Sequence, residues 1–274
     1  MPTVLEIIQK ATAYLQNKGI ENPRLNAEYL LASTLNIHRL ELYLQFDTPL
    51  QEPQLSSMRE KTIQRARHTP LQHILGTVNF LGHNFICNPS ALIPRPETEQ
   101  LVELFLQRLP PTAKKIIDVG TGSGIIAISI LLAKPDLHVV ATDICPLALE
   151  LAQKNAQLHG VNPHFQQANL IPPGLSFDAI IANLPYIPTS EIQSLQPEVL
   201  HEPTIALDGG PDGLSLIREL ITLAPASLNP GGLLALETNS AQPEILAPTL
   251  SNFRDIQILK DYQGHSRFLF ASYG

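Results

Sequence analysis

The sequence predicts an α/β fold, a doubly wound and mostly parallel sheet, preceded by a small helical bundle. Three observations carry this. Between residues 116 and 271, apolar runs of about four to six residues alternate with helical stretches, the pattern of strands buried on both faces of a parallel sheet. A glycine-rich turn, Gly120–Gly124, joins the first of these strands to its helix. Residues 3 to about 75 carry helical periodicity and no such turn.

The helical part begins at Thr3, which with Glu6 has the spacing of a capping box, and Val4, Ile7, Ile8, Ala11 and Leu15 form one apolar stripe. Gly19 ends this helix. Asn22-Pro23 starts a second, with Leu25, Tyr29, Leu30 and Leu35 as its apolar positions. Shorter helical patterns cover 39–44 and 51–67. Residues 78–80 and 84–87 flank Leu81-Gly82-His83 and read as a β-hairpin. The expected division is a helical domain at 1–75, a hairpin linker at 76–90 and a second domain at 91–274.

Leu92–Glu99 carries two prolines in three residues, an ordered turn, and Glu97-Thr98-Glu99 opens a helix with acid at its positive end. Beyond Pro110-Pro111 the expected strands are 116–119, 139–143, 164–167, 179–183 and 233–237, with two more near 256–259 and 268–271. The expected helices are 125–133, 146–159 and 213–228.

The chain has 274 residues, 44% of them hydrophobic and 16% charged, enough to bury a core in two domains. Its net charge of −7 argues against a general nucleic-acid binder, which presents a basic face to phosphates. Two cysteines far apart and nine scattered histidines form no metal pattern, and a reducing, cytoplasmic compartment is expected. The first residues have neither a basic cluster nor an apolar block, so no signal peptide is expected. No run approaches the roughly 18 apolar residues of a membrane span.

Asp118-Val119-Gly120-Thr121-Gly122-Ser123-Gly124 has the spacing G-x-G-x-G; a dinucleotide fingerprint would require G-x-G-x-x-G. Glycines here let backbone N–H groups approach a ligand, and the following helix N-terminus adds partial positive charge. Asp118 would be misplaced beside a pyrophosphate and suits a cationic or amino-bearing ligand. Asp143, at the end of the second strand, is placed to accept both hydroxyls of a ribose. Asn169-Leu170 and Asn183 follow the third and fourth strands, so the four strand ends line one crevice. At the last of them, Asn183-Leu184-Pro185-Tyr186 groups a carboxamide, a backbone carbonyl and an aromatic ring. Such a group can hold a planar amide or amino-heterocycle.

These residues together resemble the peptide chain release factor glutamine methyltransferases. The resemblance rests on Leu92-Ile93-Pro94-Arg95-Pro96-Glu97-Thr98-Glu99, Asp118–Gly124, Asp143, the Asn-x-Pro-Tyr at 183–186, and Glu202-Pro203 with Ala206-Leu207. It runs over nearly the whole chain. It implies a Rossmann-like class I methyltransferase sheet of seven strands and S-adenosylmethionine as cofactor. It also implies methyl transfer to the side-chain nitrogen of the glutamine in a release factor's Gly-Gly-Gln loop. By the same resemblance, Asp118 and Gly120, Thr121, Gly122, Ser123 and Gly124 hold the methionyl end. Asp143 and Ile144 lie at the ribose, Asn169 and Leu170 beside the adenine, and Asn183 completes the cofactor contacts. Asn183, Leu184, Pro185 and Tyr186 hold the glutamine amide, with Asn183, Pro185 and Tyr186 as the catalytic group. Arg95, Glu97 and Glu202 order the loops around the site.

Two positions depart from the family pattern. Leu184 stands where Pro is usual, keeping the carbonyl while losing one locked φ. Asn169 stands where Asp is usual and accepts from an amino group without charge assistance. The competing readings are an adenine-N6 or other nucleic-acid amino methyltransferase, disfavoured by the acidic balance, and a cofactor-binding adaptor that would not need Asn-x-Pro-Tyr. No Asp, Glu or His adjoins that motif in sequence to serve as a general base. The expected partner is a release factor, with no stable nucleic-acid binding, no membrane and a monomeric state.

Overall fold

The computed structural model describes all 274 residues, in two compact units. One comprises Met1–Thr77 together with Gln196–His201; the other comprises Val78–Leu195 and Glu202–Gly274.

In the helical unit, α1 (Val4–Asn17), α2 (Pro23–Leu35), α3 (Glu52–Ala66) and the short α4 (Leu71–Leu75) surround a core that includes Val4, Leu15, Leu30, Leu31 and Leu42. The Thr3–Glu6 capping box forms as expected. On α2 only half of the expected apolar stripe is buried, with Leu30 in the core and Leu35 packed against it. Leu25 and Tyr29 are exposed, while Asn26 and Glu28 are buried. Burial of those polar groups is compensated: Glu28 accepts from Arg24, Arg39 and Tyr43, and Asn26 Oδ1 accepts from Arg65 Nε at 2.7 Å. Residues 39–44 form a 3-10 helix, and Glu198, in the segment 196–201, accepts from Arg65 Nη2 at 2.9 Å.

The larger unit opens with the hairpin β1 (Thr77–Phe80) and β2 (His83–Ile86), whose turn residues Leu81 and Gly82 both have positive φ. Phe80 and Phe85 are buried in the same core as α5 (Pro96–Arg108) and α6 (Ile125–Ala133), and Glu99 accepts from the Leu81 N–H at 2.7 Å.

The sheet has seven strands: β3 (Lys115–Val119), β4 (His138–Asp143), β5 (His164–Gln167), β6 (Phe177–Asn183), β7 (Leu228–Glu237), β8 (Phe253–Lys260) and β9 (Ser266–Tyr273). Their spatial order is β5-β4-β3-β6-β7-β9-β8, parallel except for the pairs made by β9. The strand order reverses between β3 and β6, so a crevice opens at their C-terminal ends. α7 (Pro146–His159) follows β4, and α8 (Ser215–Ser227) packs on the opposite face from α6. α9 (Gln242–Leu246) was not foreseen, and β7 starts five residues before the expected 233. Asn229-Pro230-Gly231-Gly232 reads as a breaker, but Leu228 pairs with Phe177 and the strand absorbs the irregularity as a register shift.

Candidate active site

The functional side chains lie at or beside the C-terminal ends of the strands. Asp118 and Val119 end β3, Asp143 ends β4, and Asn183 ends β6, where it pairs in register with Glu237 at the end of β7. A cavity of about 490 Å³ lies over these ends, within the range of roughly 300–1,000 Å³ typical of small-molecule sites. It brings together Gly120, Thr121, Gly122, Ser123, Asp143, Ile144, Asn169, Leu170, Asn183, Leu184 and Pro185. It is not lined by Asp118, Gly124, Tyr186, Arg95, Glu97 or Glu202.

The glycine loop differs from its expected use. The Gly120 and Thr121 N–H groups donate to the Thr142 carbonyl, the Gly122 N–H to Asp143, and the Gly124 N–H to the Thr121 carbonyl. Four of the loop's amides are therefore spent inside the protein, and what the glycines supply is clearance and left-handed backbone. All three have positive φ. A Cβ at Gly120 would stand 2.7 Å from Leu184 Cδ2, and one at Gly124 2.9 Å from Ala152 Cβ.

Asp118 is fully buried beneath this loop. One oxygen accepts from Thr121 Oγ1 at 2.6 Å and the Ala127 N–H at 3.2 Å, while Oδ1 has no partner. Burial pushes its carboxyl up to about 7, against those two hydrogen bonds. Asp118 therefore shapes the loop from below and touches nothing in the cavity. Asn155 on α7, also fully buried, ties the loop to the hairpin: Nδ2 donates to the Ser123 and Ile86 carbonyls and Oδ1 accepts from the Ile86 N–H.

Asp143 faces the cavity. Each of its oxygens takes one backbone N–H, Gly122 on Oδ2 and Cys145 on Oδ1, both at 2.8 Å, and burial raises its pKa. Each oxygen keeps a free lone-pair direction for a hydroxyl. Ile144, Ala148 and Leu170 supply apolar wall, with exposed Asn169 at the rim. A carboxylate with spare acceptor capacity, apolar wall beside it and a left-handed backbone at Gly122, where a Cβ would meet only Ala91 Cβ at 3.8 Å, together fit S-adenosylmethionine.

At the other end, Asn183 Nδ2 donates to Thr98 Oγ1 at 3.0 Å, and Thr98 in turn donates to Glu237 Oε2 at 2.8 Å. Leu184 is buried and lines the cavity, with its side chain against Gly120. The Tyr186 ring is half-buried against the core around α8, its phenol raised first by desolvation and then by Glu237; its carbonyl accepts from Gln242 Nε2 at 2.9 Å. Arg95 donates to Glu202 Oε1, whose Oε2 accepts from the Ile93 N–H at 2.8 Å, so this buried carboxylate clamps the proline turn. Glu97, half-buried in the first turn of α5, makes no such clamp.

Sequence reading did not find Thr98, Asn155 or Glu237 as site residues. It also passed over Gly209 and Gly210, which line one wall with Pro203, Thr204, Ile205, Ala206 and Asp208, and Gly213 in the same loop. A Cβ at Gly209 would meet the Pro185 carbonyl at 2.7 Å, and one at Gly213 the Tyr186 carbonyl at 2.3 Å. Three glycines within five residues, Gly209-Gly210-Pro211-Asp212-Gly213, were the available signal.

Fold and site define a methyltransferase of the Rossmann-like, S-adenosylmethionine-dependent class. Residues 95–210 match the family described as methyltransferase small domain. A ribosomal protein L11 methylase from Lactobacillus delbrueckii subsp. bulgaricus superposes with a TM-score of 0.50 at 25% identity, over 68% of this chain and 83% of that one. The Thermus thermophilus 16S rRNA N2 G1207 methyltransferase shares the fold at 21% identity and a TM-score of 0.53, over 72% of this chain and 50% of that one.

Within that class, the chain belongs to the release factor glutamine methyltransferase family. The relative in Geobacter sulfurreducens is 41% identical over 97% of this chain and 95% of its own length. That in Moorella thermoacetica is 40% identical over 98% of both. Residues 6–76 match the family described as PrmC N-terminal domain. No helix is long and apolar enough to cross a membrane.

Proposed function

We propose that this chain methylates the side-chain amide nitrogen of the glutamine in a release factor's Gly-Gly-Gln loop, with Asn183 and Leu184 as the groups that hold the amide. The observation that carries this is the orientation of Asn183. Its nitrogen is engaged by Thr98, which leaves Oδ1 as the free polar atom where Asn183 lines the cavity. An acceptor there, with the Leu184 carbonyl beside it, matches the two N–H groups of a primary amide.

S-adenosylmethionine, when bound, supplies a methyl group made electrophilic by its sulfonium. An amide nitrogen is a poor nucleophile because its lone pair is delocalised. In this reading Asn183 Oδ1 and the Leu184 carbonyl accept hydrogen bonds from its two N–H groups, orient the nitrogen and favour the positive charge that builds on it. One of those protons is lost to water after the methyl is in place. Pro185 stiffens the chain after the carbonyl, and Tyr186, outside the cavity lining, anchors the motif through its packing beside α8 and its carbonyl's hydrogen bond from Gln242. Asp143 takes the ribose hydroxyls, Ile144, Asn169 and Leu170 flank the adenine, and Gly120–Gly124, braced by Asp118, clear room for the methionyl end. Arg95 and Glu202 hold the turn at 92–96, with Glu97 beside them. Residues 1–75 recognise the release factor, 76–90 link, and 91–274 carry the chemistry. The protein acts as a cytoplasmic monomer with no stable hold on nucleic acid, in keeping with its net charge of −7.

The test is transfer of labelled methyl from S-adenosylmethionine to a release factor, to its Gln→Ala loop variant and to duplex DNA. Label on the intact release factor alone is expected; equal label on the variant, or label on DNA, overturns the proposal. Asn183→Ala is expected to cost on the order of a hundredfold or more in transfer. Its cofactor affinity should stay within about threefold, since Asn183 holds the other ligand.

A further inference from the structure

We infer that Thr98 and Glu237 are positioning residues for Asn183: an acceptor-only carboxylate, relayed through one hydroxyl, fixes which end of the Asn183 carboxamide faces the substrate. The inference rests on the reading of Asn183 Oδ1 as an acceptor for the substrate amide.

The number of hydrogens available decides the orientation. A carboxamide is nearly symmetric in shape, so packing alone does not decide between its oxygen and its nitrogen. The Thr98 hydroxyl has one hydrogen. An ionised Glu237 can only accept, so at 2.8 Å it takes that hydrogen. Thr98 Oγ1 is then left as an acceptor, and at 3.0 Å it takes one from Asn183 Nδ2. The nitrogen turns inward and the oxygen outward. Thr98 and Glu237 are 2% and 1% exposed, so no bulk water competes for these bonds.

The three groups come from three elements: Thr98 from the first turn of α5, Asn183 from the end of β6 and Glu237 from its register partner on β7. A proton on Glu237 reverses the chain. Glu237 then donates to Thr98, Thr98 donates to Asn183 Oδ1, and the Asn183 NH2 swings toward the cavity. There it would face the NH2 of the substrate, donor against donor.

Glu237 is poised for this. Burial pushes its carboxyl up to about 7, and Glu97 on α5 adds to the rise. Thr98, Arg267 on β9 and Asn183 oppose it. Tyr186, after β6, is the remaining titratable group that senses its charge.

The experiment uses the full chain with saturating S-adenosylmethionine and a release factor, from pH 6 to 9. For the wild type, kcat/KM for the release factor should rise through about pH 7 as Glu237 ionises. Glu237→Gln, which cannot ionise, should lose that rise. Thr98→Val should cost about tenfold or more, whereas Thr98→Ser, which keeps the hydroxyl, should stay within about threefold of wild type. Cofactor affinity by calorimetry should stay within about threefold in all three.

Equal losses in Thr98→Val and Thr98→Ser, a rise that persists in Glu237→Gln, or affinity falling in step with transfer would each overturn the inference. If Thr98→Val does not fold, the two pH profiles decide. Normal transfer by Asn183→Ala would instead remove the acceptor reading itself. An inactive Asn183→Ala beside normal Thr98→Val leaves that reading standing and sinks only this inference.

Discussion

Asp118 and Glu237 are both buried carboxylates that burial pushes up to about 7, one below the glycine loop and one behind Asn183. They are tied in by different means. Asp118 is held only by its own neighbourhood, Thr121 three residues on and Ala127 nine residues on, and one oxygen stays unpaired. Glu237 reaches a residue 139 positions away in the chain, on a helix of another layer. The first shapes a loop; the second orients a side chain. A costly buried acid can therefore serve conformation at one end of a cavity and hydrogen-bond polarity at the other.

Breaking the glycine side gives the largest expected effect. Gly120→Ala puts a methyl 2.7 Å from Leu184 Cδ2 at a φ of +74°, so both backbone and packing resist it. A loss of about 1–3 kcal/mol in unfolding free energy is expected by denaturant titration, with cofactor affinity falling about tenfold. Because the clash is with Leu184, adding Leu184→Ala should recover part of the affinity and leave the φ strain. Strict additivity in that double-mutant cycle would contradict the contact.

Next in size is the pH dependence of stability, which separates the two acids. Each carboxyl has its folded pKa raised above its unfolded value, so each favours the native state below the unfolded pKa. That advantage is lost as pH climbs through about 7. Asp118→Asn and Glu237→Gln should each gain stability relative to wild type between pH 5 and 8, measured as the difference in Tm across that window. The pH dependence of cofactor affinity in the wild type should be lost in Asp118→Asn and kept in Glu237→Gln. A wild-type advantage that grows with pH would reverse the sign of the assignment.

The smallest effect expected is Leu184→Pro, which restores the usual proline. The carbonyl stays and one φ is locked, so transfer should change by no more than about threefold. A larger fall would mean that the Leu184 side chain, packed over Gly120, has become part of the site.

What could be read from the sequence was what is local. Strand-ending Asp143 and Asn183, the glycine loop and the Thr3–Glu6 cap each follow from residues within a few positions of one another. The α2 stripe misled because Glu28 and Asn26 are buried only with partners as distant as Arg65. The glycine loop was located correctly and its amides misjudged, since their acceptors, Thr142 and Asp143, lie on the adjacent strand. Thr98 was read as part of a helix start, which it is. Its second role needs Asn183 and Glu237 beside it, and no spacing announces a pairing between β6 and β7.

The glycines at 209 and 213 bear on how such a site can be recognised or transplanted. They let one main chain lie directly on another, at the carbonyls of Pro185 and Tyr186. A protein carrying Asn-x-Pro-Tyr but with side chains at those two places would have its strand-end loop levered away from its support. It could retain the cofactor half and lose its grip on the amide. The four-residue motif is thus half of a two-part key, and grafting it alone onto another sheet of this class should yield a binder of the cofactor that transfers nothing.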